Sequence, residues 1–143
     1  MKTLKTWRIL FVMTVAVLSL ASCSSDDPEG KWDPMVWKAE VPEQMTDGIY
    51  NVSADGTEFT FSCQNYSFPW VENAESNGEY YYPPREENDY HTISADWFKG
   101  EISGNKLRVV FEANETTEEK ALQLTVTAGD IFYTFMFKQV ANK

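Results

Sequence analysis

Histidine and cysteine, which most catalytic and metal sites depend on, are scarce in this chain. Among 143 residues there are one histidine, His91, and two cysteines. A single histidine excludes a metal site built from several imidazoles and leaves one candidate general base. No Gly-x-Ser-x-Gly or comparable nucleophile signature accompanies it. We therefore interpret His91 as a surface-loop residue, and the sequence predicts no catalytic residue, no metal and no cofactor.

Basic residues are also in short supply. The chain has 12 Lys and Arg against 22 Asp and Glu, for a net charge of −10. Nucleic-acid binding relies on clustered Lys and Arg that neutralise phosphates, so this class of partner is excluded. Three acidic residues, Glu86, Glu87 and Asp89, offer oxygen ligands of the kind calcium accepts. Their spacing matches no calcium-loop motif, which favours a solvated acidic loop.

No apolar run is long enough to span a bilayer as a helix. Lys2, Lys5 and Arg8 precede a charge-free stretch over residues 9–21, whereas a spanning helix needs about 20 apolar residues. This pattern is typical of a cleaved export signal. The stretch closes on Leu20–Cys23, which resembles the lipobox of bacterial lipoproteins. The resemblance implies removal of residues 1–22 and lipid attachment to Cys23; the alternative is an ordinary secretory signal with a chance cysteine.

The residues after Cys23 are polar and acidic. Ser24, Ser25, Asp26 and Asp27 resemble the surface-export signal of Bacteroidetes lipoproteins, which implies an outer-membrane protein that faces the cell exterior. The alternative is a plain polar tether over residues 23–31. Two or more acyl chains on Cys23 would give stable anchoring, so the membrane is an expected partner. Removal of the leader also removes three basic residues and leaves a net charge of −13.

Residues 32–143 are predicted to form one domain, and their pattern is that of short strands. Phe59, Phe61 and Cys63 alternate, so Cys63 is expected to be buried and inert, and with Cys23 lipidated it has no disulfide partner. No segment keeps a helical period for three turns. The clearest alternating or turn-bounded segments are 57–63, 107–111, 122–126 and 131–137. Residues 49–53 are a weaker strand candidate, a bent strand is expected over 66–71, and order is expected to return over 90–98.

Turn signals separate these segments at intervals of roughly 8 to 12 residues. The fold class predicted is therefore all-β, an immunoglobulin-like β-sandwich of about seven short antiparallel strands. The alternative is a small barrel. Residues 72–89 read as a long polar excursion, and such loops are usually functional or disordered. The last strand has two apolar faces, so we expect cover on both sides.

The segment from Asp96 to Gln139 carries a family likeness. It has Trp97, the hairpin residues Gly104–Leu107, Lys120 at the start of a strand, the turn Ala128–Asp130 and the closing Gln139. This resembles the C-terminal half of a BACON domain, the Bacteroidetes-associated carbohydrate-binding often N-terminal module. Lys120 stands where Arg is more usual. The resemblance implies an immunoglobulin-like sandwich on a surface or secreted protein, tied to glycan use or serving as a spacer.

Aromatic residues suggest where a glycan would bind. Sugar rings present apolar faces that stack on exposed indole and phenol rings. Tyr80, Tyr81 and Tyr82 lie beside Pro83 and Pro84, which stiffen them, and consecutive tyrosines cannot all face inward. The predicted ligand-binding residues are Trp70, Tyr80, Tyr81, Tyr82, Arg85 and Trp97. For the two tryptophans, core packing is the alternative.

The sequence therefore leaves two functions open. One is a lipid-anchored, non-catalytic binding module at the cell surface, with a glycan as ligand. The other is a spacer or an assembly subunit that pairs with another envelope protein through the outer side of the last strand, where Phe132 and Met136 lie.

Overall fold

The computed structural model describes residues 32–40 and 45–143. The predicted leader, Cys23, Ser24, Ser25, Asp26, Asp27 and the rest of the tether lie outside these residues. Residues Trp32–Lys143 form one compact unit, and every residue of the hydrophobic core belongs to it. A fragment that starts at Ser24 therefore keeps the whole core. In the part of the chain that is described, no helix is long and apolar enough to cross a bilayer.

Strands dominate the described residues, and the one helical element among them is a 3-10 turn over Arg85–Glu87. In chain order the strands are β1 (Trp37–Ala39), β2 (Met45–Thr46), β3 (Ile49–Val52), β4 (Thr57–Cys63), β5 (Trp70–Ser76), β6 (Glu79–Tyr81), β7 (Thr92–Ala95), β8 (Phe98–Ser103), β9 (Lys106–Phe111), β10 (Lys120–Thr127) and β11 (Phe132–Gln139).

These strands form two sheets. One has the order β1-β4-β9-β8-β7 and the other the order β2-β3-β11-β10-β5-β6. The prediction of an all-β, two-layer sandwich is confirmed. Eleven strands appear where about seven were expected, because β1, β2 and β6 are too short to produce a periodic pattern. Neighbours pair antiparallel except β3 and β11, which are parallel.

The core lies between the sheets, and the alternation of the longer strands fills it. Phe59, Phe61 and Cys63 point inward from β4 as predicted, and Cys63 is buried and free. Aromatic rings dominate the centre, where Phe61 lies 4.6 Å from Phe135 and 6.1 Å from Phe137 between ring centroids. Such aromatic pairs add to the stability that apolar burial already provides.

The prediction of a long loop over residues 72–89 is wrong, and so is the prediction of a bent strand over residues 66–71. Ordered structure starts at Trp70 with β5, turns at Asn77 and Gly78, and returns as β6. Both turn residues have positive φ, 53° and 84°, as a two-residue hairpin turn requires. The pattern hid β5 because its pairing with β10 shifts between Thr125 and Val126, and a bulge breaks strict alternation.

The two faces of β11 differ. Phe135 and Phe137 are buried in the core, whereas Phe132 is 55% exposed and Met136 is 39% exposed. The sequence led us to expect cover on both sides. Within the described residues, the face that carries Phe132 and Met136 is instead open to solvent.

Candidate functional site

Four side chains line an open cleft at one end of the sandwich. They are Phe68, Trp70, Tyr90 and His91, and the cleft has a volume of about 370 Å³. We call this the aromatic cleft. Phe68 is 80% exposed, which is unusual for a large apolar ring and marks a surface that can be covered by a ligand.

The loop over residues 64–69 brings Phe68 and Trp70 to this end. It crosses from the end of β4 in one sheet to the start of β5 in the other. Asn65 fixes the loop, since its Oδ1 accepts from the Val36 N–H at 2.9 Å and its Nδ2 donates to the Pro34 carbonyl at 2.8 Å. Pro69 is buried, and a proline restricts the residue before it to extended backbone.

Tyr90 and His91 come from the segment that precedes β7. The Val71 N–H donates to the Tyr90 carbonyl at 2.8 Å, and the Ile102 N–H donates to the His91 carbonyl at 2.8 Å. Asp89 braces the same segment, because it accepts from the Thr92 hydroxyl at 2.7 Å and from the His91 N–H at 2.8 Å. The Thr92 hydrogen bond, followed by that from the His91 backbone, holds the pKa of Asp89 below its usual value.

The three tyrosines do not form one platform. Tyr81 turns inward and packs edge-on against Phe98, with 5.6 Å between ring centroids. Burial, and then the hydrogen bond to Glu79, raise the pKa of Tyr81. Tyr80 and Tyr82 are 61% and 56% exposed, because strand alternation sends them to the opposite side.

Arg85 lies beside Tyr82. Its guanidinium carbon is 5.3 Å from the centroid of the Tyr82 ring, within the range of a cation–π contact. Tyr80, which is paired with Glu75 across β5 and β6, follows along the same strand edge. The predicted Tyr80, Tyr82 and Arg85 therefore form a second exposed surface, and none of the three lines the aromatic cleft.

Trp97 lies at the other end of the sandwich. It occupies the turn between β7 and β8, where its carbonyl accepts from the Glu112 N–H at 2.9 Å. Its half-buried ring packs against Phe98 and Phe111, with centroids 5.4 and 5.8 Å away. The Lys120 ammonium lies 5.4 Å above the ring. Trp97 thus closes the core at that end and is separate from Trp70.

Of the predicted binding residues, only Trp70 lines the aromatic cleft. Sequence reasoning missed Phe68 and Tyr90 and treated His91 as a loop residue. A usable signal was present in the order Phe68-Pro69-Trp70, where a proline between two large rings prevents both from following one smooth strand into the core. Nothing in the sequence pointed to Tyr90.

The chain enters the domain at the same end as the aromatic cleft. The Tyr66 hydroxyl donates to the Asp33 carbonyl at 2.6 Å, so residues 33 and 34 are attached to the loop that carries Phe68.

The aromatic cleft has the chemistry of a stacking site. Its lining offers three rings and one imidazole, with no Lys or Arg. Nowhere in the described ranges do three or more His, Cys, Asp or Glu side chains come together to hold a metal ion. The cleft can therefore cover an apolar face of a ligand and supply a few hydrogen bonds at its rim.

Comparison with solved structures finds a similar protein. A solved structure described as "NMR structure of the protein from Bacteroides thetaiotaomicron" superposes with a TM-score of 0.70 and 31% sequence identity. The match covers 85% of this chain and 99% of that one. The chain belongs to the same family as this Bacteroides protein. No protein-family model matches the chain, and no curated protein does.

Proposed function

We propose that this protein is a lipid-anchored binding module of the outer cell surface that captures glycans without catalysing their conversion. The observation that carries the proposal is the aromatic cleft, in which Phe68, Trp70 and Tyr90 are assembled from two separate segments. Exposed rings gathered at one point are costly in water unless a ligand covers them, and the apolar face of a pyranose is a ligand of that shape.

The anchor supports a surface location. The resemblance of Leu20–Cys23 to a lipobox, and of Ser24–Asp27 to a surface-export signal, supports an acylated protein on the exterior of the outer membrane. Membership in one family with a protein of Bacteroides thetaiotaomicron agrees with a Bacteroidetes-type envelope. The BACON-like pattern over Asp96–Gln139 supports a link to glycan use.

We further propose that the sandwich is of the immunoglobulin-like type. Two facing sheets of short strands, with β4 and β5 joined across the top of the sandwich, support this classification. The parallel pairing of β3 with β11 lies inside the six-stranded sheet, whose edges are β2 and β6. This arrangement leaves loops at both ends, and the aromatic cleft occupies one of them.

The test is binding of the soluble fragment from Ser24 to Lys143 to a panel of plant, mucin and host glycans. Burying an aromatic side chain is worth about 1.5–3 kcal/mol, so Phe68→Ala or Trp70→Ala should weaken binding about tenfold or more. Met136→Ala is the control, because Met136 is also an exposed apolar side chain, lies farther along the sheet and does not line the cleft. A uniformly flat panel with folded protein contradicts the proposal.

A double variant, Tyr80→Ala with Tyr82→Ala, tells whether the site extends along β6. If the bound glycan spans several sugar units, this variant should lose part of the affinity. If only the aromatic cleft binds, it should leave affinity unchanged while Trp70→Ala abolishes it. Circular dichroism of each variant confirms that the fold persists.

A second candidate function is an assembly role, and the outer face of β11 favours it. Ile49, Met136 and Lys138 belong to the lining of a shallow groove of about 250 Å³ on that sheet. Pairing with another envelope protein would cover Met136 and Phe132. Cross-linking in intact cells, followed by Met136→Glu and Phe132→Glu, tests this role, and a single uncross-linked species would contradict it.

A further inference from the structure

We propose that the aromatic cleft accepts uncharged glycans and discriminates against those that carry carboxylate or sulfate groups. This inference rests on the proposed glycan-binding function and names the ligand class of the same site. It follows from the positions of the Lys and Arg side chains and from the carboxylates near the cleft.

Most of the basic side chains contact acidic or aromatic residues outside the cleft. The described ranges contain eight basic residues, and four of them lie in ion pairs: Lys99 with Glu101, Lys106 with Glu40, Arg108 with Glu58, and Lys138 with Glu119. Arg85 lies over Tyr82 and Lys120 over Trp97. Recognition of a carboxylate or sulfate depends on an Arg or Lys within reach of the anion, and none of these six lines the cleft.

The two remaining basic residues, Lys38 and Lys143, do not line the cleft either. Lys38 is on β1, at the edge of the five-stranded sheet. Lys143 ends the chain, close to Asn142, whose N–H donates to the Thr116 carbonyl at 2.9 Å. That bond places the C-terminus at the opposite end from Phe68. No Lys or Arg is among the residues that line the cleft.

Acidic residues instead stand close to the cleft residues in the chain and across the sheet. Glu72 follows Trp70 by two residues on β5, and Asp89 directly precedes Tyr90. Asp130 lies in the turn after Thr127, the residue paired with Trp70 across the sheet. Hydrogen bonds from Thr92 and the His91 backbone lower the pKa of Asp89 and keep its carboxylate charged at neutral pH. These carboxylates are within a few residues of the cleft, so their repulsion of an anion is only partly screened at physiological salt.

An anionic glycan would approach the carboxylates of Glu72, Asp89 and Asp130, and no Lys or Arg lines the cleft to offset them. A neutral pyranose meets no such penalty, because stacking on Trp70 and Phe68 needs no charge.

The test uses matched pairs of glycans that share a backbone and differ in charge: dextran and dextran sulfate, xylan and glucuronoxylan, desialylated and sialylated mucin. Affinities are measured by calorimetry with the Ser24–Lys143 fragment. In any pair that binds, the neutral glycan should bind about tenfold tighter than the charged glycan at low salt. The ratio of their two dissociation constants should become smaller in about 0.5 M NaCl, where charges are screened. Equal or tighter binding of the anionic member overturns this inference alone. Failure of every pair to bind overturns the proposed function and this inference with it.

Charge variants test the cause. Glu72→Gln, Asp89→Asn and Asp130→Asn together remove three carboxylates beside the cleft. Glu112→Gln, Glu115→Gln and Glu118→Gln remove the same charge at the other end of the sandwich. The first triple variant should bring the two members of a pair severalfold closer in affinity, and the second should not. Identical effects of the two triples would show that net charge, and not the local field, sets any preference.

Discussion

The Val71 N–H donates to the Tyr90 carbonyl at 2.8 Å, and this bond joins two segments that are 19 residues apart in the sequence. It fixes the residues before β7 against the first residues of β5. As a result Tyr90 and His91 face Phe68 and Trp70 across the aromatic cleft. The cleft is therefore a product of backbone hydrogen bonding between the start of β5 and the segment before β7, and its rings need no direct contact to stay in place.

The loop that carries Phe68 depends on Asn65. Asn65→Ala removes both side-chain hydrogen bonds to residues 34 and 36, and each is worth about 1 kcal/mol. We expect a loss of about 1–2 kcal/mol in the free energy of unfolding and weaker glycan binding, because Phe68 is no longer fixed. Urea denaturation and calorimetry measure the two effects.

Gln64→Ala is the control for the Asn65 variant. Gln64 is the neighbouring exposed amide, and its Nε2 donates only to the Ser62 carbonyl, at 3.0 Å. It should change stability and affinity little. Equal losses in the two variants would show that Asn65 has no special role in the loop.

Gly56 is required by the close approach of another backbone. A Cβ there would lie 2.4 Å from the Phe111 carbonyl oxygen, and its φ of +85° already disfavours a side chain. Gly56→Ala should therefore cost about 3 kcal/mol or more in the free energy of unfolding. Thermal and urea unfolding of the soluble fragment provide the measurement.

Gly104→Ala separates the two causes. Gly104 also has positive φ, +59°, but a Cβ there would meet nothing within 4 Å. It should cost about 1 kcal/mol from backbone strain alone. If the two glycine variants are equally destabilised, the steric contribution at Gly56 is absent.

The pattern of the sequence predicted the strands whose alternation is regular. In β4, β9, β10 and β11 every second residue is apolar, and a two-residue period can be recognised without knowing the partners. In β5 the bulge shifts the register, and its inward positions after Val71 are the small residues Ala74 and Ser76. A pattern of hydrophobic residues carries no signal for such a strand.

The candidate site was harder to predict than the fold. Trp70 was identified because exposed aromatic side chains suggest ligand stacking. Tyr90, which lines the same cleft, could not be identified from the sequence, because only the hydrogen bond from the Val71 N–H to the Tyr90 carbonyl brings the two segments together. Nothing in the sequence distinguishes the three consecutive tyrosines. Strand alternation turns Tyr81 inward and leaves Tyr80 and Tyr82 exposed.

The ion pair of Glu58 with Arg108 makes stability depend on pH. Arg108 donates through Nε and Nη2 at 2.7 and 2.8 Å, and this hydrogen-bonding holds the pKa of Glu58 below its ordinary value of 4.5. The folded chain thus binds this proton less tightly than the unfolded chain. The stabilisation is present above about pH 4.5 and is lost as the pH falls through the lowered pKa.

Glu58→Gln tests this dependence. The difference in urea midpoint between wild type and variant should be largest near neutral pH and should shrink toward zero as the pH falls below 4.5 and through the lowered pKa. Added salt should also reduce it, because the pair is exposed. Glu118→Gln removes one exposed carboxylate elsewhere and shows what loss of a single negative charge does. A difference that stays constant from neutral to acid pH would contradict the assignment.

Cys23 is predicted to hold the protein on the membrane. Replacement of Cys23 by Ser prevents acylation, and without two or more acyl chains stable anchoring is lost. The variant should therefore move from the membrane fraction to the soluble fraction of the cell, as followed by immunoblotting. Cys63→Ala, at the buried thiol, should remain with the membrane. Retention of Cys23→Ser in the membrane fraction would contradict the lipoprotein assignment.

The most direct test of glycan capture follows the tryptophan indoles of the Ser24–Lys143 fragment by NMR during titration with a neutral glycan. The fragment keeps four of the five tryptophans of the chain, Trp32, Trp37, Trp70 and Trp97. Saturable movement of the Trp70 indole signal, with those of Trp37 and Trp97 unchanged, is the result we predict. Unchanged signals throughout the titration, or movement of Trp97 in place of Trp70, would contradict binding in the aromatic cleft.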